Sequence, residues 1–151
     1  MVLIFPPVFS IHIFNSYKAN NDTASFLVLQ PVVDPYKDKF SGMSNSQRLD
    51  QLMNMAERNM ESGVDYIVTP ETAVDSIWIT DPDDLLLNKV KKFSAKYPGT
   101  GVVLGATSFA SLPSSERSFT TREDEEGNFF EIHNSALYFF SGYYSGAYHK
   151  H

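Results

Sequence analysis

The sequence predicts an α/β fold in which helices cover a mixed sheet. Three observations carry this. Short β-branched and aromatic runs alternate with two longer stretches of helical period. Pro, Gly and Asp punctuate the joins between them. The last third holds strand-like runs separated by turn residues with no helix between, which adds a hairpin-like pair to strand–helix–strand–helix–strand.

The elements follow in order. Met1 to Tyr17 contains no Asp, Glu, Lys or Arg and is rich in Val, Leu, Ile and Phe. About 20 apolar residues are needed to span a bilayer, so the run is too short alone. Pro6-Pro7 is expected to break a helix, because both residues lack an N–H. No basic region and no small-residue cleavage site mark a signal peptide. One reading is a buried strand or core segment; the sharper one is the end of a membrane helix that starts upstream of Met1. Residues 15–24 are polar and aperiodic, as linkers are. The expected organisation is therefore an apolar membrane-helix end over 1–14, a linker over 15–24 and a folded domain over 25–151.

Phe26 to Leu29 suits a buried strand, and Val32 to Gly42 a loop with a turn at Asp34-Pro35. Ser44 and Gln47 have capping-box spacing. Leu49, Leu52, Met53, Ala56 and Met60 then recur three and four residues apart, so a helix is expected over 45–62, stopped at Gly63. Its methionine stripe reads as core contact. Val64 to Thr69 is the next strand, followed directly by Pro70-Glu71-Thr72-Ala73. A carboxylate at the C-terminal end of such a strand is where open α/β sheets place their chemistry.

Asp81-Pro82-Asp83-Asp84 signals a helix start, with Asp81 as cap and Pro82 at the first position. Lys89, Lys91, Lys92 and Lys96 load its later half and read as solvated charges matched to the helix dipole. Gly101 to Phe109 is a third strand, and Ser118 to Arg122 a short one. Glu123 to Asn128 is an acidic hairpin tip without the alternating ligands of a calcium loop. Phe129 to Phe140 is a long strand, Ser141 to Gly146 a turn, and Ala147 to His151 the start of a further strand.

Composition narrows the function. Lys plus Arg is 12 against 18 Asp plus Glu, a formal charge of −6, which argues against a nucleic-acid partner. Zero cysteine excludes disulfide scaffolds, zinc ribbons, iron–sulfur ligation and a thiol nucleophile within these 151 residues. His149 and His151, two apart on a strand, lack a third metal ligand, so no metal is expected.

The motifs go further. Asp65-Tyr66-Ile67-Val68-Thr69-Pro70-Glu71-Thr72-Ala73 resembles the first catalytic segment of the nitrilase (carbon–nitrogen hydrolase) superfamily, in the form found in apolipoprotein N-acyltransferases. His133-Asn134-Ser135-Ala136, followed by Ala147-Tyr148-His149-Lys150-His151, resembles that branch's second segment. Leu29-Gln30-Pro31, Asp34-Pro35-Tyr36 and Lys39-Phe40 resemble its opening strand and loop. The resemblance implies part of a nitrilase-like α-β-β-α sandwich. It also implies an enzyme of the bacterial inner membrane with its catalytic domain on the periplasmic side. The implied reaction moves an acyl chain from a phospholipid donor to the α-amino group of a lipoprotein's N-terminal diacylglyceryl-cysteine, through a cysteine thioester and without a cofactor.

Carried over residue by residue, Glu71 matches the general base and Lys150 the oxyanion-stabilising lysine. Thiolate formation, proton removal by a carboxylate and oxyanion stabilisation by an ammonium are the three tasks such a centre divides. Trp78 is a candidate for the rim of an acyl-chain entrance, with core packing as the alternative. Asn134 is a candidate for orienting groups near the site, with a strand hydrogen bond as the alternative. The missing thiol departs from the family pattern, so the expectation is an internal fragment that is inactive by itself and poorly soluble, with a strand edge and apolar surface exposed. Two other readings stay open: part of a soluble amidase or nitrilase, and a non-catalytic scaffold that kept the site without its nucleophile.

Overall fold

In a computed structural model, residues 5–16, 22–31 and 42–150 are described. The expected Asp34-Pro35 turn, Tyr36, Lys39, Phe40, the linker residues Tyr17 to Asn21 and His151 lie outside them.

Helix α1 covers Phe5–Ser16. Pro6-Pro7 does not break it, because both prolines sit in the first turn, where N–H groups have no helical acceptor. The buried-strand reading of this segment is thereby corrected: it is helical, and Val8, Ile11, Ile13 and Phe14 are all more than half exposed. At 1.5 Å per residue its twelve residues reach about 18 Å. No described helix is long and apolar enough to cross a membrane.

Strand β1 is Phe26–Val28 and helix α2 is Asn45–Asn59. The capping box is present: the Gln47 N–H donates to Ser44 Oγ, and the Ser44 N–H donates to Gln47 Oε1. The helix ends at Met60, three residues before the expected glycine stop, and Gly63 instead supplies a positive φ in the turn that follows. Strands β2 (Tyr66–Val68) and β3 (Val74–Trp78) come next, and β3 is an element the sequence pattern did not show. Helix α3 is Leu85–Ala95. Its cap is Asp84, not Asp81: the Leu87 N–H donates to the Asp84 carboxylate, while Asp81 holds the preceding turn through the Asp83 N–H. Strand β4 (Gly101–Leu112), β5 (Arg122–Glu123), β6 (Phe129–Phe140) and β7 (Tyr143–His149) complete the chain. The expected strand over 118–122 is thus confined to its last residue and Glu123. The expected turn over 141–146 shrinks to Ser141-Gly142, both with positive φ, as a tight two-residue hairpin requires.

These strands form one seven-stranded mixed sheet among the described residues. β1 runs parallel to β2, and both β2 and β3 run parallel to β4 along the same edge. β4 pairs antiparallel with β6 over twelve residues, and β6 carries β5 and β7 on its other edge.

Alternation divides the sheet into two faces. One presents Ile67, Val102, Leu104, Leu137 and Phe139 to Leu49, Leu52 and Ala56 of α2 and to Leu87, Val90 and Phe93 of α3, forming the core. The two helices are also tied across their outer surface. Lys89 pairs with Asp50 at 2.7 Å and Lys96 with Glu57 at 2.6 Å, so two of the four lysines serve inter-helix ion pairs as well as the helix end. The opposite face carries Phe26, Val28, Phe140, Tyr143 and Tyr148, all exposed.

Candidate functional site

The site stands on the open face. β2 and β3 follow β4 in the same direction, but Val68 pairs with Val103 and Val74 with Ala106. Between these pairs the five residues Thr69 to Ala73 run against Leu104 and Gly105 alone, so the line carries three surplus residues and forms a loop. Both flanks of this loop are tied to β4. The Thr69 N–H donates to the Val103 carbonyl at 3.0 Å, and the Ala73 N–H donates to the Gly105 carbonyl at 2.9 Å. Glu71 sits in the middle of the loop, with its Cα directly over Gly105. Thr72 beside it has φ +52°, a left-handed conformation that costs a non-glycine residue about 1–2 kcal/mol.

Two groups meet the Glu71 carboxylate. Asn134 Nδ2 donates to Oε1 at 2.6 Å, and Lys150 Nζ donates to the same oxygen at 3.1 Å. Asn134 is delivered by the β4–β6 register, which sets it opposite Thr107. Lys150 is delivered by the end of β7: its N–H donates to the Asn134 carbonyl at 2.9 Å, extending the β6–β7 ladder by one bond. Three sequence-predicted residues thus converge from three separate segments.

The electrostatics follow from these contacts. The Glu71 carboxyl is held below the usual glutamate range, first by the Lys150 hydrogen bond, then by that of Asn134, then by the lysine charge. Burial opposes this only weakly, because the Glu71 and Lys150 side chains are 61% and 65% exposed.

Trp78 goes elsewhere. It pairs with Phe109, four residues along β4 from Gly105, or about 13 Å at the usual strand rise. There its ring lies 5.1 Å from Phe109 and 5.6 Å from Phe130, and with Phe129 and Asn128 it lines an open cleft. Behind the site, the Ser135 hydroxyl lies 2.7 Å from Ser108 Oγ and 2.8 Å from His149 Nδ1. The His149 ring lies tilted against that of His133 with centroids 4.2 Å apart, and His133 reaches Glu131 at 3.4 Å. Among the described residues, no group of three His, Asp or Glu side chains is arranged to hold a metal ion.

The sequence pattern did not single out Thr69 and Gly105. The Gly105 N–H donates to the Thr69 hydroxyl at 3.0 Å directly beneath Glu71. A glycine inside a β-branched strand run was the available signal, since such a glycine often marks close backbone approach.

No protein-family model matches the sequence, and no curated protein matches it. Among solved structures the chain is similar to the glutamine-dependent NAD+ synthetase of Acinetobacter baumannii, at 18% identity and a TM-score of 0.38. The match covers 72% of this chain and 18% of that one, so the chain spans under a fifth of the neighbour's length. A likeness of this size speaks to neither substrate nor activity.

Proposed function

We propose that Glu71 and Lys150 are the base and the oxyanion-stabilising cation of an acyl-transfer centre. The centre would belong to a nitrilase-like catalytic domain of an apolipoprotein N-acyltransferase in the bacterial inner membrane, facing the periplasm. The observation that carries this reading is the 3.1 Å contact between Lys150 Nζ and Glu71 Oε1, made by residues 79 positions apart. The motif resemblance names the same two residues for complementary tasks. The apolar, uncharged α1 supports the membrane setting.

The reaction divides into two half-reactions. The carboxylate takes the proton of an attacking thiol, and the thiolate adds to the ester carbonyl of a phospholipid. The lysine ammonium stabilises the oxyanion, which collapses to a thioester as the lysophospholipid alkoxide leaves with the proton that Glu71 held. In the second half, the α-amino group of the diacylglyceryl-cysteine attacks the thioester and Glu71 receives its proton. The amide forms and the thiolate leaves.

A depressed pKa makes Glu71 a weak base on the open sheet face. Two changes would strengthen it: covering the face, which desolvates the carboxylate, and engagement of Lys150 by the oxyanion, which removes the contact that depresses it. These 151 residues contain no cysteine, so the chain alone is expected to form no thioester.

The test uses the product of the longest reading frame that contains these residues. Transfer of a labelled acyl chain from phosphatidylethanolamine to a diacylglyceryl lipopeptide is expected, with losses of about 100-fold or more in Glu71→Gln and Lys150→Met. Undiminished transfer in both variants would overturn the assignment. Amide hydrolysis without transfer would favour the soluble amidase reading. A frame without cysteine, inert in both assays, would favour the non-catalytic scaffold.

A further inference from the structure

We infer that Gly105 is the positioning residue of Glu71: it sets the height at which the carboxylate stands above the sheet. The inference rests on the reading of Glu71 as the base, but its geometry is independent of any reaction.

The loop from Thr69 to Ala73 crosses directly over Gly105. A strand line that carries three extra residues must lift them off the ladder, and the residue beneath loses its regular backbone partner. Gly105 is that residue. Its N–H, denied a strand carbonyl, donates to the Thr69 hydroxyl at 3.0 Å, and its carbonyl accepts from the Ala73 N–H at 2.9 Å. Both ends of the loop are therefore pinned to the two polar groups of one residue.

Gly105 is also the only residue type that fits. A Cβ at this position would overlap the Pro70 carbonyl oxygen and come within 2.9 Å of the Glu71 Cα. These are backbone atoms, which cannot swing aside as a side chain does. The requirement is steric rather than conformational, because Gly105 is not among the glycines with positive φ. Gly101, four residues earlier on the same face, gives the contrast. The atoms nearest its Cβ would belong to the side chains of Tyr66 and Tyr138, each approaching to 2.8 Å.

One methyl group at Gly105 must therefore push the Pro70–Glu71 backbone outward. The Asn134 and Lys150 contacts, at 2.6 and 3.1 Å, have little slack to follow it. The Thr69 hydroxyl is the second part of the same device. Valine keeps its shape and removes its acceptor, whereas serine keeps the acceptor.

The experiment is a carboxyl-detected NMR titration of Glu71 in the full 151-residue chain, held in a mild detergent. In Gly105→Ala, the Glu71 pKa is expected to rise to the ordinary glutamate value, and the Asn134 side-chain amide to lose its carboxylate-bonded shift. Gly101→Ala is expected to leave both signals in place even if it lowers the melting temperature. Thr69→Val should move them in the direction of Gly105→Ala, and Thr69→Ser should restore them. A folded Gly105→Ala chain with the wild-type Glu71 titration would overturn the inference. Should Gly105→Ala fail to fold, wild-type signals in Thr69→Val would overturn it equally. In the cysteine-bearing enzyme, a displacement of about 1 Å is expected to lower kcat roughly 100-fold with KM little changed. If the titration shifts but no transfer is found in the wild-type enzyme, the positioning stands and the proposed reaction falls.

Discussion

Lys150 Nζ donates to Glu71 Oε1 at 3.1 Å, and the contact lowers the carboxyl's pKa although both side chains are more than half exposed. The folded pKa lies below the unfolded one, so the contact stabilises the fold at pH values above about 4.3. That contribution disappears as the pH falls from there through the lowered folded value. Lys150→Met removes the largest cause and is expected to raise the Glu71 midpoint in a carboxyl NMR titration. The acid-side stability difference between variant and wild type should close over the same window. An unmoved midpoint would show that the contact is not held in solution.

Asn134 is the second cause of the depressed pKa, and its replacement separates hydrogen bonding from charge. Asn134→Ala should raise the Glu71 midpoint modestly. Asn134→Asp sets a second carboxylate where the amide nitrogen now lies 2.6 Å from Glu71 Oε1. Two carboxylates that close titrate as a pair, with the upper step above the usual range. A Glu71 signal in Asn134→Asp that titrates no higher than in Asn134→Ala would sink this expectation.

The α2 cap is a local device with a known scale. Ser44→Ala leaves the Gln47 N–H without its side-chain acceptor, while the backbone N–H of residue 44 still donates to Gln47 Oε1. The expected loss is about 1 kcal/mol of unfolding free energy, read from the urea midpoint at unchanged slope. Ser44→Asp restores an acceptor at a helix N-terminus and should recover most of it.

Local signals made α2, α3 and the long strands legible, whereas Pro6-Pro7 pointed away from helix α1 and non-local contacts hid the rest. The α2 period and its capping box stand in the sequence, and so does the long run of β6. β3 does not, because Ser76 with φ +60° breaks its alternation and shifts its register against β4. The Asp81-Pro82 start signal was real as a turn, yet the helix begins where Asp84 can bond the Leu87 N–H. The carboxylate of the site was visible through its Pro70-Glu71-Thr72-Ala73 context. Its distance to Lys150 was not, since it depends on the registers of β4 with β6 and of β6 with β7. Gly105 was in plain view, but its role needs the loop that crosses it.

The apolar helix α1 gives a prediction about membranes. Ile11 is 60% exposed and Phe14 81% exposed, and the helix carries no charge in its first or last turn. Burying one large apolar side chain is worth about 1.5–3 kcal/mol, so a few such residues suffice for measurable partition into lipid. The chain is expected to co-sediment with neutral phosphatidylcholine vesicles independently of salt. Ile11→Asp with Phe14→Asp should release it by at least tenfold. Retention by the double variant would place the lipid contact elsewhere in the chain.

The buried hydroxyl pair behind the site makes an asymmetric prediction. Ser108 is fully buried, and among the described residues the side-chain partner of its hydroxyl is Ser135 Oγ at 2.7 Å. Ser135 has that bond and a second to His149 Nδ1 at 2.8 Å. Ser108→Ala leaves Ser135 bonded to the histidine, so the expected loss is that of one ordinary hydrogen bond, about 0.5–1.5 kcal/mol. Ser135→Ala instead strands the Ser108 hydroxyl in the core and should cost about 1–3 kcal/mol. Removing both hydroxyls relieves the stranded group, so the double variant should be no less stable than Ser135→Ala alone. Urea unfolding of the three variants closes the cycle, and strictly additive losses would mean that the two hydroxyls are not coupled.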